Sequence, residues 1–98
     1  MTRETSNTIR EWGDATFGQV RDLSALVARA RGELDELDHA IRAGDMAEAG
    51  REAADVAILL HRLVALAGMD LSEQIDAKMQ INRARKWLAA GDGTGGHV

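Results

Sequence analysis

The sequence contains no cysteine and no proline, and its aromatic residues are two tryptophans and one phenylalanine. Without cysteine the chain has no disulfide, no thiolate metal site and no cysteine nucleophile, so a metal ion must be bound through oxygen or imidazole. Hydrophobic residues make up 45% and charged residues 29% of the chain. Together with the absence of proline, this composition is typical of an ordinary globular helical protein rather than a disordered one.

The chain also has no large excess of positive charge and no long apolar run. Its formal net charge is -4, with basic residues interleaved among acidic ones, which argues against a nucleic acid polymer as a partner. The longest apolar run, Val56 to Leu60, is far too short to span a bilayer, and the N-terminal segment lacks the apolar core of a signal peptide. We therefore expect no membrane partner and a cytoplasmic location, in the host cytoplasm if a phage encodes the protein.

The length of 98 residues predicts a single small domain. A domain of this size buries only about 60 to 65% of the surface that its unfolded chain exposes, so assembly into oligomers would add stability. We expect a homodimer or a homotetramer. The domain is predicted to span residues 1–90, and the glycine-rich segment 91–98 is predicted to be a flexible tail.

Apolar residues recur at helical spacing in four segments, and no alternating run predicts a sheet, so we predict an all-α, four-helix bundle. Capping residues and glycines set the expected limits. The helices are predicted from about Thr8 to Thr16 with a Thr8 and Glu11 capping box, from Asp22 to Ala43, from Asp45 to Gly68, and from Asp70 to about Ala90.

Two pairs of carboxylates lie symmetrically about the expected turn between the second and third helices. Glu33 and Glu36 are three residues apart before the turn, and Glu52 and Asp55 are three apart after it. Residues at this spacing share a helical face, so the four side chains converge if the two helices fold back on each other. Clustered carboxylates repel one another, and a fold that gathers them usually neutralises them with cations. Oxygen ligands favour Mg²⁺ or Mn²⁺, although glutamates at this spacing also occur as solvated helix faces.

The fourth predicted helix carries a polar stripe made of Lys78, Asn82 and Arg85. Their spacing of four and three residues puts them on one face. Lysine as a point charge, arginine as a planar fork and asparagine as a neutral donor can together bind phosphate oxygens. The alternative is a solvated basic stripe near a helix C-terminus, where cations favour the macrodipole.

These motifs resemble the signature of the MazG-like, all-α nucleoside triphosphate pyrophosphohydrolases. The resemblance runs from about Trp12 to Trp87 and rests on Glu33-x-x-Glu36, Glu52-x-x-Asp55 and Lys78-x-x-x-Asn82-x-x-Arg85-x-Trp87. The opening Trp12 and Thr16-Phe17-Gly18, followed by Gly32-Glu33-Leu34, are most similar to a phage and bacterial branch that includes dATP/dGTP diphosphohydrolases. The chain departs from several relatives at positions 29–31, where they carry a further glutamate and this chain has Arg29, Ala30 and Arg31.

The resemblance implies an Mg²⁺-dependent hydrolase, with Mn²⁺ as a substitute, that converts a purine deoxynucleoside triphosphate to a monophosphate and pyrophosphate. By resemblance, the metal ligands and catalytic residues are Glu33, Glu36, Glu52 and Asp55. The implied substrate-binding residues are Lys78, Asn82 and Arg85 at the phosphates, and Trp12 and Phe17 near the base. We expect Trp87 to pack the end of the last helix against the bundle and His61 to have a packing or surface role.

Two alternative functions remain open from the sequence. The stretch from Glu52 to Leu66 also resembles phosphoribosyl-ATP pyrophosphohydrolase, a related helical family of similar length, although the pattern from Lys78 to Trp87 argues against it. The other alternative is a noncatalytic helical dimerisation module. It leaves the matched carboxylates and the basic stripe without a role.

Overall fold

The computed structural model describes residues 3–98, which form four helices followed by a short β-hairpin. The elements are α1 (Ser6–Phe17), α2 (Ser24–Arg42), α3 (Met46–Leu66), α4 (Leu71–Ala84), β1 (Trp87–Ala89) and β2 (Gly95–His97). The four predicted helices are all present. The hairpin was not predicted, and it replaces the last turn and a half of the expected fourth helix.

Helices α2 and α3 fold back on each other and make the most extensive helix packing in the chain. Gly44 has a φ of 73°, a conformation that favours glycine, and it ends α2. The Asp45 side chain then caps α3 by accepting a hydrogen bond from the Glu48 backbone N–H at 3.1 Å. Three of the buried core residues are alanines, Ala30, Ala40 and Ala49. Their small side chains let the two helices approach closely, which brings residues on either side of the turn together.

Helix α1 packs on α3 and is tied to it by a buried serine. The Ser6 Oγ lies 2.7 Å from His61 Nδ1 and accepts a hydrogen bond from the Leu71 N–H at 2.9 Å. This one hydroxyl therefore joins α1, α3 and the start of α4, and the packing role expected for His61 is confirmed. The predicted capping box was misplaced by one turn, because Thr5 is the cap and Thr8 closes the box.

Helix α4 ends at Ala84 instead of Ala90, and Arg85 and the residues after it are extended. The Trp87 indole N–H donates to the Asn82 carbonyl at 2.7 Å, and the same carbonyl accepts from the Arg85 backbone N–H at 3.2 Å. Trp87 was expected to wedge the last helix against the bundle. That expectation was wrong, because Trp87 lies in β1 and is 48% exposed.

The hairpin pairs Trp87 with His97, and their rings meet edge to face with centroids 5.8 Å apart. Gly91 and Gly93 adopt φ values of 97° and 95°, which permits the tight reversal between the strands. The expected domain boundary at residue 90 therefore falls within a hairpin. The mobility of residues 91–98 stays a prediction.

The fold leaves α4 and the hairpin without a buried residue. The radius of gyration is 15.7 Å, compared with about 13 Å for a compact chain of about 100 residues. Within residues 3–98, no helix combines the length and apolarity that crossing a membrane requires.

Candidate functional site

The helical hairpin of α2 and α3 brings three of the four predicted carboxylates together. Glu33, Glu36 and Glu52 each offer a carboxylate oxygen, and these oxygens all lie within 4.8 Å of one another. The first two project from α2 one turn apart, and the third projects from α3 across the helix interface. This convergence follows from the near-equal distances of the residues from the turn at Gly44. We call these three residues the carboxylate cluster.

The cluster is electrostatically unfavourable as it stands. Glu33 and Glu52 are half-buried, and in each residue the Oε2 atom is buried without a hydrogen-bond partner. The facing Glu33 carboxyl raises the pKa of Glu52 to about 8, and the Glu48 carboxyl, burial and the Glu36 carboxyl act in the same direction. Buried acceptors that face one another without a donor fit a divalent cation, which oxygen ligands of this kind bind.

Asp55, the fourth predicted ligand, is not in the carboxylate cluster. It lies on α3 one turn after Glu52 and is exposed. An aspartate side chain is shorter than a glutamate side chain by one methylene, so it reaches less far across the interface. Its role as a metal ligand stays a prediction.

A fourth carboxylate does reach the cluster, and the sequence analysis did not single it out. Glu48 lies one turn before Glu52 and contacts its carboxyl group. The Arg51 guanidinium approaches Glu48 Oε2 at 2.8 Å and lowers the pKa of Glu48. The i to i+4 spacing of Glu48 and Glu52 was the available signal.

An open cleft of about 460 Å³ lies beside the carboxylate cluster, between α2 and α3. Glu36, Glu48 and Glu52 line one part of it, and His39 and Asp35 line another. The cleft is therefore strongly acidic. A polyanionic ligand can enter it only if cations offset that charge.

The predicted phosphate-binding stripe does not reach this cleft within one chain. Lys78 and Arg85 are exposed, and Asn82 is half-buried with its Oδ1 atom unpartnered. None of the three lines the cleft beside the carboxylate cluster. Arg85 lies one residue beyond the end of α4 and is extended, so only Lys78 and Asn82 of the three lie on that helix.

The two predicted base-binding aromatics form a pair at the end of α1. The rings of Trp12 and Phe17 meet edge to face at 90°, with centroids 5.6 Å apart. Trp12 is 58% exposed and Phe17 is 71% exposed. Trp12 also lines an apolar cleft of about 520 Å³ together with Ile9 and Ile58. Because Ile58 follows Glu52 by six residues, it lies about 9 Å further along α3 than the carboxylate cluster.

An ion pair between α3 and α1, in which the arginine is buried and the aspartate is partly exposed, was missed by sequence reasoning. Arg62 on α3 is 7% exposed, and its Nη2 lies 3.1 Å from Asp14 Oδ1 on α1. A signal was present, because Arg62 interrupts the apolar second half of α3, and arginine is rarely buried unless it is paired.

Comparison with known proteins identifies relatives of this chain. No protein-family model matches the chain. The chain is 39% identical to a dATP/dGTP diphosphohydrolase of Salmonella phage PMBT28 over 95 residues, which is 97% of this chain and 31% of that protein. It is 45% identical to a dATP/dGTP diphosphohydrolase of Cyanophage S-2L over 65 residues, which is 66% of this chain and 61% of that protein. The chain therefore spans less than two thirds of the length of either relative.

A solved structure covers nearly the whole fold. It is the Cyanophage S-2L MazG-like pyrophosphohydrolase, bound to dGDP and three catalytic Mn²⁺ ions per active site. The similarity has a TM-score of 0.75 and a sequence identity of 35%, and it covers 95% of this chain and 88% of that one.

Proposed function

Since this chain belongs to the MazG-like pyrophosphohydrolases, we propose that it is a divalent-cation-dependent hydrolase that converts a nucleoside triphosphate to a monophosphate and pyrophosphate. The observation that carries the proposal is the carboxylate cluster, whose oxygens lie within 4.8 Å of one another and include two buried, unpartnered atoms. A noncatalytic module has no use for this arrangement, because it costs stability unless cations occupy it.

The carboxylates of Glu33, Glu36 and Glu52 would hold the cations, with Asp55, one turn after Glu52 on α3, as a further ligand outside the cluster. When bound, divalent cations lower the pKa of water and neutralise charge on phosphate oxygens. The chain's own contribution is to fix the geometry at the attacked phosphorus. Two rigid helices hold the carboxylates, and a carboxylate at the cleft can accept the proton of the attacking water. No side-chain nucleophile is required.

We propose dATP and dGTP as the substrates. The relatives from both phages carry that activity in their names, and the structural neighbour binds dGDP. In this chain the exposed Trp12 and the apolar cleft beside it offer a surface for a nucleobase, and Phe17 supports Trp12 from the side. A purine ring has the larger face and gains more from stacking on an aromatic side chain than a pyrimidine ring does.

We propose that the phosphate contacts Lys78, Asn82 and Arg85 act within an oligomer, as a homodimer or homotetramer. In the single chain none of the three lines the cleft beside the carboxylate cluster, and α4 buries no residue. Apolar side chains on α4, among them Ile75 and Ile81, are about half exposed. Packing of α4 against a second copy would cover these side chains and bring a basic stripe towards an acidic site.

The test is a nucleotide panel with Mg²⁺ or Mn²⁺, with and without chelator, in which the products are separated and identified. We expect dGTP and dATP to give monophosphate and pyrophosphate, and chelator to abolish the reaction. Faster hydrolysis of dCTP or dUTP would contradict the purine preference. Nucleoside diphosphate and orthophosphate as products would contradict the reaction itself.

A further inference from the structure

Arg62 makes an unusual set of contacts for a residue in the apolar half of a helix. Its Nη2 group carries two hydrogens, and it donates to Asp14 Oδ1 at 3.1 Å and to the Gly18 carbonyl at 2.9 Å. The guanidinium carbon also lies 5.8 Å from the centre of the Phe17 ring, within cation–π range. A single side chain from α3 thus contacts three residues in and just after the last turn of α1.

This contact supplies what the end of α1 lacks. The last turn of α1 contains no basic residue, although the carbonyls that end there favour a positive charge. It contains Asp14 instead, whose negative charge is unfavourable at a helix C-terminus. Arg62, on the neighbouring helix, supplies the missing positive charge and offsets the negative one. It neutralises Asp14 and donates to the carbonyl of Gly18, the residue that caps α1.

The fit between Arg62 and α1 is close. Gly13 is buried, and a Cβ atom at this position would lie 2.5 Å from Arg62 Nε and 2.6 Å from its Cδ. The arginine stem therefore lies flat against the α1 backbone where glycine makes room for it. This close contact opposes rotation of α1 about its own axis relative to α3.

We propose that Arg62 is a positioning residue that fixes the orientation of the Trp12 and Phe17 rings for stacking on the nucleobase. This inference rests on the proposed function. Both rings are more than half exposed, so packing on the core does not orient them. The orientation comes from Arg62, which contacts Phe17, and from Phe17, which meets the Trp12 ring edge to face.

The position of Arg62 along α3 suits this role. It follows Asp55 by seven residues, which is two helical turns and about 10 Å along the same face. Helix α3 thus carries Glu52 of the carboxylate cluster as well as the arginine that contacts the aromatic pair. This couples the orientation of the base to the position of the phosphates without Arg62 touching the substrate.

The experiment compares wild type with Arg62→Met on two substrates, dGTP and a deoxyribose triphosphate that lacks the base. For dGTP we expect Arg62→Met to raise KM about tenfold, equivalent to about 1.4 kcal/mol of lost stacking, with kcat within about twofold. For the baseless substrate we expect kcat/KM to stay unchanged. Arg62→Lys, which keeps the charge but not the planar fork, should fall between wild type and Arg62→Met.

Arg10→Met is the matched control, because Arg10 also pairs with Asp14, at 3.4 Å, but the structure gives it no bond to Gly18 and no contact with Phe17. It should keep the wild-type KM. Phe17→Leu keeps the arginine and removes the ring, so it tests the link between Arg62 and Trp12 if Arg62→Met does not fold. It should raise KM for dGTP and leave KM for the baseless substrate unchanged.

A second readout does not depend on activity. In a Trp87→Phe background the fluorescence anisotropy of Trp12 reports how firmly its ring is held, and we expect Arg62→Met to lower it. Unchanged Trp12 anisotropy in Arg62→Met would overturn the inference, as would an equal loss of kcat/KM on dGTP and on the baseless substrate. A wild-type chain inert towards dGTP would contradict the proposed function instead, and the anisotropy would still decide the role of Arg62.

Discussion

Replacing Gly13 with alanine tests how α1 is anchored to α3. The new Cβ would lie 2.5, 2.6 and 2.9 Å from Arg62 Nε, Cδ and Cζ, so the arginine side chain must shift, and we expect the shift to break its bonds to Asp14 and Gly18. Breaking a fully buried ion pair costs about 3–5 kcal/mol. Asp14 is 27% exposed and also pairs with Arg10, so we expect about 2–3 kcal/mol here. Alanine gains about 1 kcal/mol in helix propensity, which leaves a net loss of about 1–2 kcal/mol.

Thermal unfolding followed by circular dichroism, at fixed protein concentration and without metal, measures this loss. A net loss of about 1–2 kcal/mol lowers Tm by roughly 4–16 °C in a domain of this size. Gly50→Ala is the matched control, because Gly50 lies inside α3 and a Cβ there would meet nothing within 4 Å. It should raise the stability by about 0.5–1 kcal/mol. A Gly13→Ala variant as stable as wild type would refute the close packing of Arg62 on α1.

Three further predictions concern the carboxylate cluster and the assembly. Glu33→Gln and Glu52→Gln should each lower kcat/KM at saturating Mn²⁺ by at least about a hundredfold with the helical spectrum intact, because each removes a ligand charge. The control Asp38→Asn, which breaks an exposed pair with Arg42, should leave kcat/KM unchanged. An equal loss of kcat/KM in the control and the cluster variants would show that the cluster is not the active site. The pKa of Glu52 rises from 4.5 to about 8 in the folded chain, so the folded state binds the extra proton. The contribution of Glu52 to the stability of the metal-free protein should therefore be greatest below about pH 4.5 and be lost as the pH rises through 8. A Tm that does not fall over this range in wild type, or that falls equally in Glu52→Gln, would contradict the raised pKa. Light scattering should give a dimer or tetramer at assay concentration, and a fully active monomer would contradict the shared site.

The helices and the carboxylate cluster were predictable from the sequence because both depend on local periodicity. The caps at Asp45 and Asp70 and the turn at Gly44 set the register of the helices, and that register places Glu33 and Glu52 opposite each other. The resemblance to the MazG-like superfamily and to its phage dATP/dGTP branch is confirmed.

The features that the sequence did not predict depend on contacts between distant residues. The pairing of Asp14 with Arg62 joins residues 48 positions apart, so the local pattern that marks Arg62 does not identify Asp14 as its partner. The hairpin was missed because Trp87 and His97 pair across a glycine-rich turn whose composition resembles a loop. In our proposal, a second copy of the chain brings Lys78 near the carboxylates. The packing of two copies against each other cannot be worked out from the periodicity of one sequence.

The most direct test of the proposed reaction is hydrolysis of dGTP in oxygen-18 water, with mass analysis of every product. The carboxylate cluster and the basic stripe lie on different parts of the chain. We therefore expect water to attack the α-phosphorus while the outer phosphates leave together as pyrophosphate. The label should then appear in the nucleoside monophosphate and not in pyrophosphate. Label in pyrophosphate would mean attack at the β-phosphorus, and label in orthophosphate would mean attack at the γ-phosphorus; either result would contradict the account.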